Sequence, residues 1–302
     1  AYKLTGVVLD TPGRRTPAFL FGLDMSVVLQ GLSTDSGCIS AYPICAAERL
    51  QRGQCMKLQK IIAGCCSLLL LYSVPLQAAA LDTACIGYGQ GKATDSHNCP
   101  LDALSFNEQY AAYGAFATTP DTSRIILTFD QGYENGYTAQ ILDTLKEKQV
   151  TAIFFLTGDY AKKETALVQR MIAEGHVLGN HGMTHASLPN CTQAEAMEEI
   201  QSLHDYVLQT YDYEMQYFRC PCGEYSEQAL QWVKDAGYQT VFWSGAYVDW
   251  KTDAQPDTGE AYETLLSTAH GGEILLLHSV SATNAAILGD VIDGFRAAGY
   301  TV

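Results

Sequence analysis

The sequence predicts an irregular (β/α) barrel of about seven parallel strands, preceded by an N-terminal extension. From residue 124 onward, short apolar runs alternate with segments of helical periodicity, which is typical of parallel strands joined by helical crossovers. Polar and ionisable residues follow several of these runs, at the strand ends where such a barrel carries its functional groups. With 302 residues, 47% of them hydrophobic, the chain is long enough for such a domain.

The predicted strands are short and rich in β-branched, aromatic and leucine side chains. In order, they cover residues 124–129, 151–156, 176–178, 217–219, 238–243 and 274–277. The predicted helices cover residues 139–148, 165–174, 192–209, 226–236, 260–269 and 282–298. Thr192 and Glu195 predict a capping box at the start of the third helix, and Gly175 and Gly237 are placed to end two others. Residues 299–302 begin another strand, so we expect the domain to continue beyond them.

The segment before the barrel has no clear helical or strand periodicity. Residues 81–123 are therefore predicted to be an N-terminal extension that packs on the barrel domain, which covers residues 124–302. No internal repeat and no low-complexity tract interrupts this organisation.

Residues 56–80 have the composition of a secretory signal peptide. A short basic start precedes an almost wholly apolar run, and the alanines at 78–80 follow. The protein is therefore predicted to be exported, as a secreted or cell-envelope protein. The apolar run is also about long enough to remain as an uncleaved membrane anchor. Because this signal lies so deep in the chain, residues 1–55 are predicted to be a non-native upstream extension, with the true start at Met56.

The formal net charge of −15 at pH 7 argues against nucleic acid as a partner, because no basic surface would attract it. We expect a monomer. Five cysteines follow residue 80: Cys85, Cys99, Cys191, Cys220 and Cys222. In an exported protein, Cys85 and Cys99 form the favoured disulfide because they are close in sequence, and the odd number leaves at least one thiol without a partner in the chain.

Six ionisable side chains follow the predicted strands. They are Asp130, His181, His185, Arg219, Asp249 and His278. Two histidines four residues apart can bind one metal ion, and neutral imidazole suits zinc and similar metals. Each residue alone has an ordinary structural explanation, such as a turn, a helix cap or a buried histidine. Their occurrence at successive strand ends instead favours a metal site with a carboxylate beside it.

Five segments contain these six residues. They are Thr128-Phe129-Asp130-Gln131-Gly132, His181-Gly182-Met183-Thr184-His185, Arg219-Cys220-Pro221-Cys222-Gly223, Asp249-Trp250 and Leu275-Leu276-Leu277-His278. In order and spacing they resemble the five motifs of the polysaccharide deacetylase family, the NodB-homology carbohydrate esterases of family 4. Residues 133–137, 242–250 and 277–281 are similar to one branch, the delta-lactam-type peptidoglycan N-acetylmuramic acid deacetylases.

The resemblance implies the chemistry of a metal-dependent amide hydrolase. His181 and His185 would hold a divalent metal, most simply zinc, which activates a water molecule. Asp130 would be the general base, and Arg219 would keep it ionised and oriented. His278 would protonate the leaving amine while Asp249 holds its imidazole.

The resemblance also implies how the sugar is bound. The backbone N–H of Cys222 would meet the oxyanion, and Tyr133, Asn135 and Trp250 would contact the substrate. The implied substrate is N-acetylmuramic acid in peptidoglycan glycan strands, and the products are acetate and a free amine. This amine is the precursor of the muramic delta-lactam of spore cortex.

Three positions depart from the pattern of the family, and one of them is Cys222, which replaces a larger residue but would act through its backbone. Gln131 replaces a metal-binding Asp, and because a neutral amide is a poorer ligand we expect weaker metal binding, although the muramic branch also carries an amide here. Gly182 replaces a hydroxyl residue that would brace the histidine loop, and Thr184 could take over that task. Two alternatives therefore stay open. One is a deacetylase of N-acetylglucosamine, chitin oligomers or xylan, and the other is a glycan-binding protein with an impaired site.

Overall fold

The computed structural model describes residues 80–302 and contains ten strands and eight α-helices in that range. The strands are β1 (Ile86–Gly87), β2 (Ala115–Phe116), β3 (Ile125–Gln131), β4 (Ile153–Leu156), β5 (Val177–Asn180), β6 (Tyr217–Phe218), β7 (Glu224–Tyr225), β8 (Gln239–Val241), β9 (Gly245–Ala246) and β10 (Glu273–His278). The helices are α1 (Leu101–Tyr110), α2 (Thr138–Lys148), α3 (Gly158–Lys163), α4 (Thr165–Ala173), α5 (Gln193–Tyr211), α6 (Glu227–Asp235), α7 (Thr258–Thr268) and α8 (Ala282–Ala297).

Eight of the strands form one sheet in the order β2-β8-β6-β5-β4-β3-β10-β9, and all of its neighbouring pairs are parallel. The remaining two strands, β1 and β7, pair antiparallel with each other. The predicted (β/α) barrel class is confirmed. The six predicted strands between residues 124 and 277 and all six predicted helices occur, with ends within two residues of those predicted, and the capping box of Thr192 and Glu195 is formed. The strand predicted to begin at residues 299–302 is reduced to an isolated bridge between Thr301 and Arg124.

The sheet curls because strands near its two ends are joined by a very short connection. Only residues 242–244, which we call the seam, connect β8 to β9, although the two strands lie six positions apart in the sheet order. Three residues span at most about 10 Å. Within the seam, the Phe242 N–H donates to Phe116 of β2 and the Ser244 N–H donates to Ile274 of β10. The carboxyl ends of the strands therefore meet around one mouth.

Buried side chains fill both faces of the curled sheet. Every residue of β3, β4 and β5 is buried. Side chains alternate along a strand, and Leu127 and Phe129 of β3 belong to the large cluster that includes helix residues such as Ile141. A second cluster, which contains Ile126 and Phe155, has only strand residues among its buried members and occupies the barrel interior. The side of β3 that carries Ile126 also carries Asp130.

The N-terminal extension contributes to the sheet as well as packing on it. Its strand β2 pairs with β8, and two residues are too few to give a periodic pattern. Helix α1 buries Ala103, Phe106 and Tyr110, which share one helical face. Because the apolar Leu101 is exposed, the apolar residues of this helix do not show a clear helical pattern in the sequence. The sequence therefore predicted the extension but neither of these elements.

The five cysteines after residue 80 are all unpaired. The predicted Cys85–Cys99 disulfide is therefore not formed, and the two thiols have different surroundings because Cys99 is buried while Cys85 is exposed. Apart from Ala80, the predicted signal peptide and the segment before it lie outside the described residues. Within the described range, no helix is long and apolar enough to cross a membrane.

Candidate active site

A cleft of about 440 Å³ opens at the carboxyl ends of the strands. Six of the residues selected from the sequence line it: Asp130, Tyr133, His181, His185, Trp250 and His278. Arg219 and Asp249 are fully buried and bond to two of those six. A groove of about 580 Å³ between α7 and α8, and one of about 450 Å³ at the amino ends of β6 and β8, are lined by none of them. The cleft is therefore the candidate active site.

Asp130 is held by the guanidinium of Arg219, which follows β6. Arg219 Nη1 donates to Asp130 Oδ1 at 2.8 Å and to the Thr128 hydroxyl at 2.8 Å. The other guanidinium donors bond to the backbone carbonyls of Val241 and Phe242, each at 3.1 Å. These contacts fix the guanidinium, so Asp130 Oδ1 has one orientation and Oδ2 is left for the cleft.

The surroundings of Asp130 favour its ionised form. Burial by itself opposes ionisation, but the charge of Arg219 and the nearby His181 and His278 outweigh burial and hold the pKa of Asp130 below its usual range. Asp130 is therefore a buried carboxylate that stays ionised at neutral pH.

His181 and His185 bring two ring nitrogens to one point of the cleft. The Nε2 atoms of the two rings are 3.2 Å apart, and His181 Nε2 is 3.5 Å from Asp130 Oδ2. His181 Nδ1 lies 2.8 Å from the carbonyl oxygen of Arg219, which assigns its proton to Nδ1 and leaves Nε2 as an acceptor. Burial lowers the pKa of His181 to about 4 and also lowers the pKa of His185. Both rings are therefore neutral at pH 7.

The histidine loop is braced by Glu199, which α5 brings beneath it. Glu199 Oε1 accepts from the Thr184 hydroxyl at 2.6 Å, and Oε2 accepts from the Thr184 N–H at 2.9 Å. A Cβ on Gly182, which has a φ of +81°, would lie 3.1 Å from Glu199 Oε2. Thr184 thus takes the bracing task foreseen for it. Glu199 could not be recognised from the sequence, because no local motif links a residue of α5 to this loop.

On the opposite side of the cleft, His278 is paired with Asp249. His278 Nδ1 is 2.7 Å from Asp249 Oδ1, and the His278 N–H donates to Asp249 Oδ2 at 2.7 Å. Asn284 of α8, which no sequence motif indicates, donates to the same Oδ2 at 2.6 Å. Burial opposes protonation of His278, but the bond to Asp249 outweighs burial and raises the pKa of His278. Nε2 of His278 remains for the cleft.

His278 and Asp130 stand directly opposite each other on adjacent strands. They are Cα partners in the parallel pairing of β10 with β3. Residues paired in this way point to the same face of a sheet. The ionised carboxylate and the imidazole of raised pKa therefore face one cleft from neighbouring strands.

Gln131 and Cys222 lie beside the cleft residues in sequence and have different surroundings. The Gln131 amide donates to the Ser279 hydroxyl, and its Oε1 is buried without a hydrogen-bond partner among residues 80–302. Strand alternation assigns it to the face opposite that of Asp130. Cys222 lies in the 3₁₀ turn Pro221–Gly223 with a φ of 58°. A metal contact of Gln131 and an oxyanion contact of Cys222 stay predictions.

The three predicted sugar contacts differ in their placement. Tyr133 and Trp250 are half exposed at the cleft, at 52% and 47%, and the Trp250 ring is 5.7 Å from the His278 ring. Asn135 instead donates to the carbonyl of Val280 at 2.9 Å, which ties the loop after β3 to the loop after β10. The two aromatic rings are free to stack on a sugar, whereas Asn135 braces the rim.

Comparison with known proteins identifies the family. A family model described as polysaccharide deacetylase matches residues 117–241. The chain is 40% identical over 239 residues to the peptidoglycan-N-acetylmuramic acid deacetylase PdaA of Bacillus subtilis, and the match covers 78% of this chain and 90% of PdaA. The chain belongs to the polysaccharide deacetylase family. This deacetylase is also 34% identical over 176 residues to a peptidoglycan-N-acetylglucosamine deacetylase of Bacillus cereus, with 58% of this chain and 62% of that protein covered.

Solved structures have the same fold as this deacetylase. The structure of Bacillus subtilis PdaA, a family 4 carbohydrate esterase, superposes with a TM-score of 0.69 at 40% identity and covers 72% of this chain and 94% of PdaA. A family 4 carbohydrate esterase from Bacillus anthracis gives a TM-score of 0.61 at 36% identity, with 74% of this chain and 94% of that chain covered. The enzyme is therefore a carbohydrate deacetylase with the barrel of carbohydrate esterase family 4.

The histidine pair of this deacetylase fits a divalent cation. Two ligand atoms on one metal with bonds of about 2.0–2.1 Å are about 3 Å apart, and the Nε2 atoms of His181 and His185 are 3.2 Å apart. Both rings are neutral, as metal binding requires. Within residues 80–302 no group of three or more His, Cys, Asp or Glu side chains is arranged to hold a metal. His181 and His185 are therefore the residues that would hold a cation at this site.

Proposed function

We propose that this deacetylase removes the N-acetyl group of N-acetylmuramic acid in peptidoglycan glycan strands and releases acetate and a free amine. The observation that carries the proposal is the opposed pair Asp130 and His278, which provides a base and an acid on adjacent strands. The name of PdaA, 40% identical, supports the muramic substrate. Export, which the sequence predicts, would bring the enzyme to peptidoglycan.

The base side of the site acts on a water molecule. A divalent cation, with zinc as our choice, held by His181 and His185 would supply a Lewis acid that lowers the pKa of this water and polarises the acetamide carbonyl. Asp130 accepts the proton of the water through Oδ2, because Oδ1 is bonded to Arg219. A positioned general base of this kind contributes about 10²- to 10⁴-fold to the rate.

The acid side of the site protonates the leaving amine. His278 shares its Nδ1 proton with Asp249, so Nε2 carries the proton that is transferred as the C–N bond breaks. We assign the negative oxygen of the tetrahedral intermediate to the backbone N–H of Cys222, at the turn that follows Arg219. Each half of the mechanism then uses one charged pair: Arg219 with Asp130, and Asp249 with His278.

The product formed from a muramic substrate can react further within the same sugar. Deacetylated muramic acid carries an amine and a lactyl carboxyl group on neighbouring ring positions. Because the two groups are on one molecule, the amine meets the carboxyl carbon at a high effective molarity, and replacement of a carboxyl oxygen by the nitrogen, with loss of water, gives the lactam. We therefore propose that the enzyme provides the precursor of the muramic delta-lactam of spore cortex.

The test is an assay of the full chain on peptide-free glycan strands, with mass spectrometry for the loss of acetyl groups. We expect one acetyl group to be lost from each N-acetylmuramic acid that is processed, and little loss from chitin oligomers. Acetyl loss from chitin oligomers alone would assign the enzyme to glucosamine substrates. Binding to both glycans without any acetyl loss would mean that the site is impaired.

The pH dependence of the reaction should report the Asp249–His278 pair. Because the pKa of His278 is raised, its protonated form persists to higher pH, and kcat/KM should fall only as the pH rises through that raised value. The Asp249–His278 pair also stabilises the folded protein while His278 is protonated. This stabilisation is lost as the pH rises through the raised pKa of His278. In Asp249→Asn, the high-pH limb of the pH–rate profile should move to lower pH by about one unit. A pH–rate profile whose upper limb does not move would exclude His278 as the acid.

The brace formed by Glu199 should control metal affinity. Glu199→Gln replaces the carboxylate that accepts both bonds from Thr184, so the histidine loop loses its fixed geometry. We expect calorimetric titration with zinc to show an affinity lower by about 10-fold. Glu198→Gln is the matched control, because Glu198 is its exposed neighbour on α5. Equal zinc affinity in the two variants would contradict the role of the brace.

A further inference from the structure

We infer that Lys162 binds the lactyl carboxylate of N-acetylmuramic acid and thereby selects it over N-acetylglucosamine. This inference rests on the proposed function. The two sugars differ in the lactyl group, which carries one negative charge at neutral pH. The protein is itself acidic, with a formal net charge of −15, so a bound carboxylate needs a local cation to offset repulsion.

Lys162 reaches the wall of the cleft from α3, the helix that follows β4. Its Nζ lies 3.3 Å from the sulfur of Met183, and Met183 lines the same cleft as His181 and His185. The Met183 side chain occupies space that a Cβ on Gly158 would fill, since that Cβ would lie 2.1 Å from the sulfur. Only the flexible side chain of Met183 therefore lies between the Lys162 ammonium and the cleft.

The Lys162 ammonium has only uncharged neighbours. Besides the Met183 sulfur, it lies 5.6 Å from the centroid of the Tyr206 ring. The side chain is exposed, and within residues 80–302 no carboxylate lies within 4.0 Å of its Nζ. Its charge is therefore available to a ligand.

Two other charges near this side of the cleft are already paired. Asp159, which lines the cleft, is paired with Lys163 at 2.9 Å. Arg219 is fully buried and paired with Asp130. A substrate carboxylate here would therefore meet neither an unpaired acid at Asp159 nor a free guanidinium at Arg219, whereas the charge of Lys162 is not paired with a described carboxylate.

The chemistry of the substrate keeps its carboxylate close to the cleft, and our inference places it toward the wall that carries Lys162. The lactyl group is attached to the ring carbon next to the one that bears the acetamide, so when the acetamide lies between Asp130 and His278 the carboxylate must lie within a few ångströms of the reacting bond. The long side chain of Lys162 has a mobile ammonium that can follow it. A pair of this kind at an exposed site changes binding by up to about 5-fold.

The test compares Lys162→Met with the wild type of the full chain on three substrates. They are peptide-free muramic glycan strands, the same strands with the lactyl carboxyl converted to its neutral amide, and chitin oligomers. We expect Lys162→Met to raise KM about 5-fold on the charged strands, with kcat little changed. On the amidated strands and on chitin oligomers, the variant and the wild type should behave alike. Lys162→Arg should restore the lower KM on the charged strands.

Two further lysine variants control for net charge. Lys234→Met makes the same change far from the cleft, where Lys234 donates to the carbonyl of Ala112, and it should not alter KM. Lys251→Met tests the lysine that follows Trp250. The inference would be overturned if KM on the charged strands rose in Lys251→Met and not in Lys162→Met. So would an equal KM rise for Lys162→Met on charged and amidated strands. If the wild type does not act on muramic strands at all, both the proposed function and this inference fail; activity that is unchanged in Lys162→Met overturns the inference alone.

Discussion

Replacing Asp130 by Asn is expected to lower kcat/KM by about 10³-fold. Asn keeps the shape of the side chain and an oxygen that accepts from Arg219 Nη1, but it cannot take a proton from water. The variant should therefore bind substrate and zinc while turnover is lost. Acetate release on glycan strands measures the loss, at a temperature where circular dichroism shows both proteins folded.

The comparison with Asp130→Ala separates catalysis from folding. Alanine removes the hydrogen-bond acceptor as well as the charge, so the buried Arg219 loses one acceptor of its Nη1 and its only carboxylate partner among the described residues. We therefore expect Asp130→Ala to be less stable than Asp130→Asn, although both lack activity. Turnover by Asp130→Asn close to that of the wild type would exclude Asp130 as the base.

Replacing Arg219 by Met is expected to lower the free energy of unfolding by about 3–5 kcal/mol. The guanidinium is fully buried, and its loss leaves Asp130 as a charge without a partner and frees two carbonyls near the seam. The pKa of Asp130 should rise, because its strongest stabilising neighbour is gone. Activity should fall as well. Chemical denaturation measures the change in stability.

Two controls distinguish a buried ion pair from a general effect of losing arginine. Arg170→Met removes a guanidinium that is paired with Asp143 and Glu174 near the surface, and it should cost about 1 kcal/mol or less. The double variant Asp130→Asn with Arg219→Met should be more stable than the sum of the single variants predicts, because it leaves no charge buried alone. Strict additivity would mean that the two residues are not coupled.

Six strands of the sheet could be predicted from the sequence because their apolar residues form short continuous runs. Residues 151–156 and 274–277 are unbroken apolar runs, and a strand buried on both faces requires such a run. The candidate site was predictable for a related reason. Asp130 and His278 each interrupt or end a run of this kind, and in parallel strands the ends converge.

The supporting residues could not be predicted in the same way. Glu199 and Asn284 stand on helices, where a polar residue is ordinary, and only the packing of α5 and α8 brings them to the histidine loop and to Asp249. Lys162 likewise looks like a solvated lysine until its distance to Met183 is known. Strand β2 could not be predicted because two residues are too few to show a periodic pattern.

The seam that joins β8 to β9 also ties the integrity of the barrel to the chemistry. The carbonyls of Val241, just before the seam, and of Phe242, within it, accept two of the Arg219 hydrogen bonds, and Arg219 in turn orients Asp130. A local opening of the seam would therefore release the catalytic carboxylate at the same moment. Amide hydrogen exchange at the seam and thermal inactivation should share one opening event, so the enzyme would have no half-open form that still turns over substrate.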